Sequence, residues 1–245
     1  MTKKTEAKNE VTETQGSELA AASQDLGAWG ESQMDSRDIV LPKILCMQGL
    51  SVLVADDKAK MGDFVDSLSN EVIGSIKEPV KFIPFHMEKI YIISKKESGA
   101  SRYDFDRIEP VTNQDYPFTN VIDGVEFKYE YCLQFYCLRP EDTSLPYVIS
   151  FKSTSLKTGK VLSTQMYVRN RAAGLVPPAY VMELSGRKEK NDQGTFVVME
   201  VKAGAKSTPE QVNECLNWYK TVQSGATKVS HEDATSHPQT ESSKF

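Results

Sequence analysis

The clearest pattern in the chain lies at residues 125–138, VEFKYEYCLQFYCL. Val125, Phe127, Tyr129, Tyr131, Leu133, Phe135 and Cys137 fill the odd positions, and the even positions open with Glu126, Lys128 and Glu130. Alternation over this length predicts a strand with one buried face. The RPEDTS stretch then turns the chain into 146–152, PYVISFK, a hairpin partner. Residues 80–95, VKFIPFHMEKIYIISK, are β-branched and aromatic and predict a second long strand. Pro84 within it lacks a ladder donor and marks an edge or a bulge. Two more strands are expected at 179–185 and 195–202, separated by GRKEKNDQG as a polar turn. A short strand is expected over 63–68. Residues 39–54, broken by Pro42 and Gly49, predict a short extended lead-in and then a turn or short helix. The stretch 97–124, with its Gly, Asp, Asn and Pro, reads as one long connection.

Two segments change to a helical period. Residues 154–173 run from Ser155, a possible N-cap, to a stop at Gly174 and the Pro177–Pro178 pair. At about 100° per residue, Lys157, Lys160 and Arg171 fall on one face. Residues 209–222 start from a Ser207 or Thr208 cap with Pro209 at the first position, and carry a stripe of Val212, Cys215, Leu216, Tyr219 and Val222. The order predicts a mainly β protein: an elaborated OB-like antiparallel barrel with an inserted helix and a C-terminal helix. An antiparallel α+β sandwich fits the same order.

Composition limits how much of the chain this covers. Hydrophobic residues make up 39% and mean hydropathy is −0.43, below an average globular chain, so part of it is expected to stay unpacked. Residues 1–36 hold three Lys against seven Asp and Glu and few apolar groups, and read as a disordered acidic tail. Residues 223–245 read as a flexible tail ending in Phe245, which leaves 37–222 as the folded domain. No apolar run approaches the roughly 18–20 residues of a membrane span. The N-terminus lacks the apolar centre of a signal peptide, so a soluble cytoplasmic protein is expected. None of the four cysteines forms a CxxC pair, and His86 is the only histidine outside the C-terminal tail. Zinc at standard ligand spacing is therefore not expected, and no other cofactor is implied.

The net charge of −5 at first argues against a nucleic-acid partner. Resolved along the chain it is −4 over 1–36 and −1 over 223–245, while residues 152–206 alone carry +6. A basic block with aromatics nearby suits single-stranded nucleic acid, which needs a cationic groove for phosphates and ring faces for bases. The cations are Lys152, Lys157, Lys160, Arg169, Arg171, Arg187, Lys188 and Lys190, with Tyr147 and Tyr167 close in sequence. The 97–124 connection adds Arg102, Tyr103, Phe105 and Arg107. Tyr136, on the polar side of its strand, is a further stacking candidate, whereas the odd-face aromatics belong to the core. Catalysis has thinner support. There is no GxxxxGK[ST] loop and no GxGxxG opening a helix. One enzymatic alternative is a Mg²⁺-dependent nuclease, since Asp192, Glu200 and Lys202 resemble the acid-acid-lysine set of the PD-(D/E)XK nucleases.

The segments IVLPKILCMQGLS, KAKMGDFVDSL, VKFIPFHMEKIYIISKK and VPPAYVMELSGRKEKNDQGTFVVMEVKAG resemble the single-stranded DNA-binding proteins of tailed bacteriophages, over about residues 37–222. That resemblance implies an OB-like core, sequence-tolerant binding of single-stranded DNA in replication and recombination, and a C-terminal tail that contacts replication or transcription proteins. Phe245 at the terminus matches such tails. Lys244 beside it, and the scarcity of acids, depart from them.

Overall fold

A computed structural model of the chain describes residues 40–112, 116–192 and 194–224. The expectations for residues 1–36, and for the tail with Lys244 and Phe245, lie outside the described residues. The protein is mainly β and antiparallel, as expected. A small sheet holds β1 (Ile44–Cys46), β2 (Asp63–Asp66) and β3 (Val72–Ser75). It packs Val65, Met47 and Ala59 against Leu53 and Val54 of a short helix, Val52–Ala55. The large sheet holds β4 (Val80–Lys96), β5 (Asp104–Pro110), β6 (Thr119–Ile122), β7 (Val125–Arg139), β8 (Asp142–Lys152), β9 (Tyr180–Asn191) and β10 (Gly194–Lys206). Its order β10-β9-β4-β7-β6, with β5 on β4 and β8 on β7, is that of an open sheet rather than a closed barrel.

Strands β4 and β7 form the spine, paired from Ile83–Leu138 to Lys96–Glu126. At the base of the spine β9, β10 and β8 flank them; at the far end β5 and β6 do, making a four-stranded arm. The proline signal resolves as a bulge: Pro84 faces Cys137 and His86 faces Tyr136, with Phe85 extra. The extra residue shifts the alternation by one position. Val80 and Phe82 before it, and Met87 after it, therefore all pack into the same core, although their numbers differ in parity.

The base is buried on both faces. On one, Phe82, Phe135, Phe151, Ile149, Leu184 and Met199 meet Leu162 and Met166 of the inserted helix. On the other, Ile83, Phe85, Tyr136, Leu138 and Val181 lie under Cys215, Val222, Trp218 and Tyr219 of the C-terminal helix, Pro209–Gln223. Every residue from Cys132 to Leu138 is consequently buried. The single buried face expected for 125–138 is corrected there, because a helix from the far end of the chain covers the second face. The C-terminal helix starts as anticipated, with a capping box between Thr208 and Gln211. Leu216, placed in its apolar stripe, is 42% exposed.

The inserted helix is α over Leu156–Thr164, π over Gln165–Arg169 and α again over Asn170–Ala172. Ser155 does not cap it; its hydroxyl accepts the Met199 N–H at 3.1 Å instead. The helix lies close on the sheet because Gly159 has no side chain: a Cβ there would stand 2.7 Å from the Phe151 Cβ. Two other expectations are corrected. The connection 97–124 contains β5 and β6, and GRKEKNDQG is strand as far as Asn191, since β9 and β10 run on as a ribbon beyond the core.

Candidate nucleic-acid interface

Strand alternation sorts the predicted cations by face. Met182 and Leu184 of β9 point into the core on the inserted helix's side, and Lys188 and Lys190 continue that face. Arg187 belongs to the opposite face, where it is held by Glu189 at 2.7 Å and by Glu200. Lys152, on the same opposite face as Cys132 and Glu130, pairs with Glu130 at 3.1 Å. The helix-side cations differ. Lys157, Lys160, Arg169 and Arg171 are all exposed along the inserted helix, and Lys188 and Lys190 are exposed on the ribbon. None of the six takes part in an ion pair among the described residues. A seventh, Lys89, was not singled out from the sequence. It sits on this same face opposite Leu133, one alternation step above Met87, and is likewise exposed and outside the ion pairs. Tyr167 of the inserted helix lies against the Met87 backbone, so Lys89 is next to where the helix crosses β4.

The π turn changes which helix cations line up. A π turn takes in one extra residue, so positions beyond it lag by about 100° behind an unbroken α-helix. Arg171 is thereby swung off the Lys157–Lys160 face on which the sequence placed it, and Arg169 is brought round toward it.

The arginines of the arm are committed to neighbouring acids. Arg102 pairs with Asp104 at 3.6 Å, and Arg107 with Asp106 at 2.5 Å and Glu109 at 2.7 Å. The guanidinium of Arg107, and then the Tyr116 hydroxyl, hold the Glu109 carboxyl below its usual range. Lys96 sits over the Tyr103 ring at 5.8 Å, and a hydrogen bond with Glu126 pushes the Tyr103 phenol up. Phe105 is 45% exposed on β5.

Several predicted stacking residues are not available as platforms. Tyr136 is buried beneath the C-terminal helix, where its hydroxyl donates to Glu88 at 2.9 Å. Tyr147 is buried in the main core and donates to Asp66 at 3.1 Å, with Arg139 over its ring. Tyr167 is half-buried against that core, and burial pushes its phenol up to about 12. Alternation along the local strand could not reveal a cover supplied by distant segments. Phe118, 66% exposed with Lys128 at 5.3 Å from its ring, is the more open aromatic that sequence reasoning passed over.

The nuclease set is not assembled. Asp192 stands at the β9–β10 turn, while Glu200 faces Ser185, six register steps below the Gly194–Asn191 pair. Six steps of strand are about 20 Å. Glu200 is engaged by Arg187, and the described residues contain no group of three or more His, Cys, Asp or Glu that could hold a metal ion. Burial pushes the Cys132 thiol up to about 11 and the Cys215 thiol up to about 12. No helix among the described residues is long and apolar enough to cross a membrane.

No curated protein and no solved structure matches the chain. One family profile does, over residues 11–228, which spans the small sheet, the large sheet and both long helices. The chain belongs to the family described as Pam3 phage gp34-like protein.

Proposed function

We propose that the protein binds single-stranded DNA with little regard to sequence, using the inserted-helix side of the large sheet, during phage DNA replication or recombination. The observation that carries this is the set of seven exposed cations on that side, Lys89, Lys157, Lys160, Arg169, Arg171, Lys188 and Lys190, outside every ion pair among the described residues. Lysines and arginines left without acidic neighbours are what a phosphate backbone neutralises. The burial of Tyr136, Tyr147 and half of Tyr167 shifts the mode from stacking toward charge. By register Phe105 stands opposite Ser94, and Tyr103 follows it on the face of the arm turned away from the helix-side cations, so a strand reaches these two rings only by passing around the edge of the arm. The open sheet suits this as well as an OB barrel would, because the track lies on a helix-covered face. The Lys244–Phe245 tip is retained as a proposed contact for a replication or transcription protein.

The test is a titration of the full chain into labelled oligo-dT over a salt series. With about four phosphate contacts, affinity falls about 50-fold between 50 and 200 mM salt, from a slope near −0.7 per contact on single strands. Binding that is absent, or indifferent to salt, overturns the reading. Mg²⁺ added to the same mixture asks for the cleavage that Asp192, Glu200 and Lys202 would have to supply.

A further inference from the structure

Strands β10, β8 and β5 are each partly closed against pairing with another chain, and among the described residues β6 is the more open edge. On β10 two outward positions, Val197 and Met199, are taken by side chains. Gln48 acts as a strand-like clamp, its Oε1 accepting the Val197 N–H at 2.9 Å and its Nε2 donating to the Val197 carbonyl at 3.1 Å. Met199 is closed by Ser155 at 3.1 Å and by the Thr158 hydroxyl at 2.7 Å. On β8, the Val148 N–H donates to Pro42 at 2.8 Å, with a parallel bridge to Lys43. Strand β5 carries Asp104, Asp106, Arg107 and Glu109 and ends at Pro110.

Strand β6 is short and follows Pro117, but among the described residues it has no side-chain clamp, no backbone bridge on its outer edge and no charge. From Pro117 to Ile122 the chain reads PFTNVI, without a charge. Phe118 is 66%, Val121 65% and Ile122 46% exposed. Its inner edge pairs with β7, and the Tyr129 N–H donates to the Phe118 carbonyl at 2.9 Å. Alternation of an antiparallel ladder then directs the N–H and C=O of Thr119 and Val121 outward. No described residue pairs with them.

We infer that this edge is a self-association surface, and that its occupant is β6 of a second copy, running antiparallel about a two-fold axis. The pattern is self-complementary about Asn120. With Asn120 opposite its own copy, Thr119 meets Val121 and exposed Phe118 meets exposed Ile122, each contact occurring twice, as an isologous interface demands. About four backbone hydrogen bonds form between the outward groups of Thr119 and Val121. Pro117 at one end and the Asp123–Gly124 turn at the other bound the ladder. An uncharged edge meets its copy without like charges facing each other, whereas each β5 edge carries three acids against one arginine and would meet its copy with the same net sign. The pairing joins two arms into one continuous eight-stranded sheet.

The inference does not rest on nucleic-acid binding, and its experiment contains none. Sedimentation velocity of the full chain, from low micromolar to a few hundred micromolar, is expected to show a concentration-dependent doubling of mass. Val121→Pro removes an outward donor without touching a bond to β7, and Val121→Lys puts a cation on the edge. Both are expected to stay at monomer mass, with circular dichroism and melting like the parent chain. If the proline variant loses structure, the lysine variant decides. A parent chain that remains monomeric throughout overturns the inference and leaves the edge to a strand of another protein. So does a folded Val121 variant that still doubles its mass.

Discussion

The inserted helix and the arm both hold cations close to aromatics in the sequence, yet the fold gives them different electrostatics. On the arm, β5 alternates Asp104, Asp106, Arg107 and Glu109, so every guanidinium finds a carboxylate within its own strand or turn. On the helix, Leu156–Ala172 contains no acid at all, and its cations face solvent above a core that Gly159 allows to come close. Counting positive charge does not distinguish the two regions. Counting the acids that the fold brings next to each positive charge does. A paired surface cation has little left to offer a phosphate, because a new partner must displace an old one of similar strength.

The largest effect should come from removing the platform on which the helix cations stand. Gly159→Ala sets a methyl 2.7 Å from the Phe151 Cβ, and overpacking of this kind costs about 1–3 kcal/mol, to be read as a drop in urea midpoint. DNA affinity should fall with it although every cation is retained. Unchanged stability would mean that the helix rides higher on the sheet than described. Next, Lys157→Glu with Lys160→Glu should weaken oligo-dT binding by about tenfold or more and flatten the salt slope, since two phosphate contacts are lost and two repulsions gained. Arg107→Glu on the arm should cost little by comparison. Equal losses from the two regions would dissolve the distinction. Within the helix, Arg169→Glu should cost more than Arg171→Glu, the reverse of what an unbroken helix gives. Smaller still is a gain: Asp106→Asn with Glu109→Gln frees Arg107 and should raise affinity about two- to fivefold, the worth of an exposed ion pair.

Most of the spine was legible in the sequence because it obeys one period. The strands at 80–95 and 125–138, the short strand at 63–68, the hairpin partner at 146–152 and both long helices appear within a few residues of their expected bounds. Strand β6 was missed although Asp123–Gly124, both at positive φ, is a strong hairpin-turn signal. A four-residue edge strand with all its side chains exposed shows no alternation against a core. In β5 the only aliphatic and aromatic positions, Phe105 and Ile108, stand three apart across a register shift, so no alternation shows, and the outer part of β9, from Arg187 to Asn191, is polar on both sides and reads as turn. The helix cations were legible as residues, while their freedom from acids, the phase shift at the π turn and the loss of Tyr136 to the C-terminal helix depend on segments far apart in sequence. Lys89 was overlooked for a related reason, since it is an isolated cation in an apolar strand and gains neighbours only when the inserted helix crosses β4.

The finest test of the comparison is the pH dependence of the arm's ion pairs. Arg107 and then Tyr116 hold the Glu109 carboxyl below its ordinary value, so the folded state binds its proton less readily than the unfolded chain does. A depressed carboxylate contributes stability that is present above its ordinary pKa, about 4.3, and is lost as pH falls through the lower folded value. Because the pair is screened by solvent, that contribution is under about 1 kcal/mol. Urea midpoints of the parent chain and of Glu109→Gln should therefore differ slightly at neutral pH and converge as the carboxyl becomes protonated. The inserted helix contains no acid to titrate, so its cations should show no matching change in this window. A Glu109→Gln variant as stable as the parent at neutral pH would mean that the arm pairs are geometric neighbours without energetic weight. In that case Arg107 would be as free to meet a phosphate as Lys157.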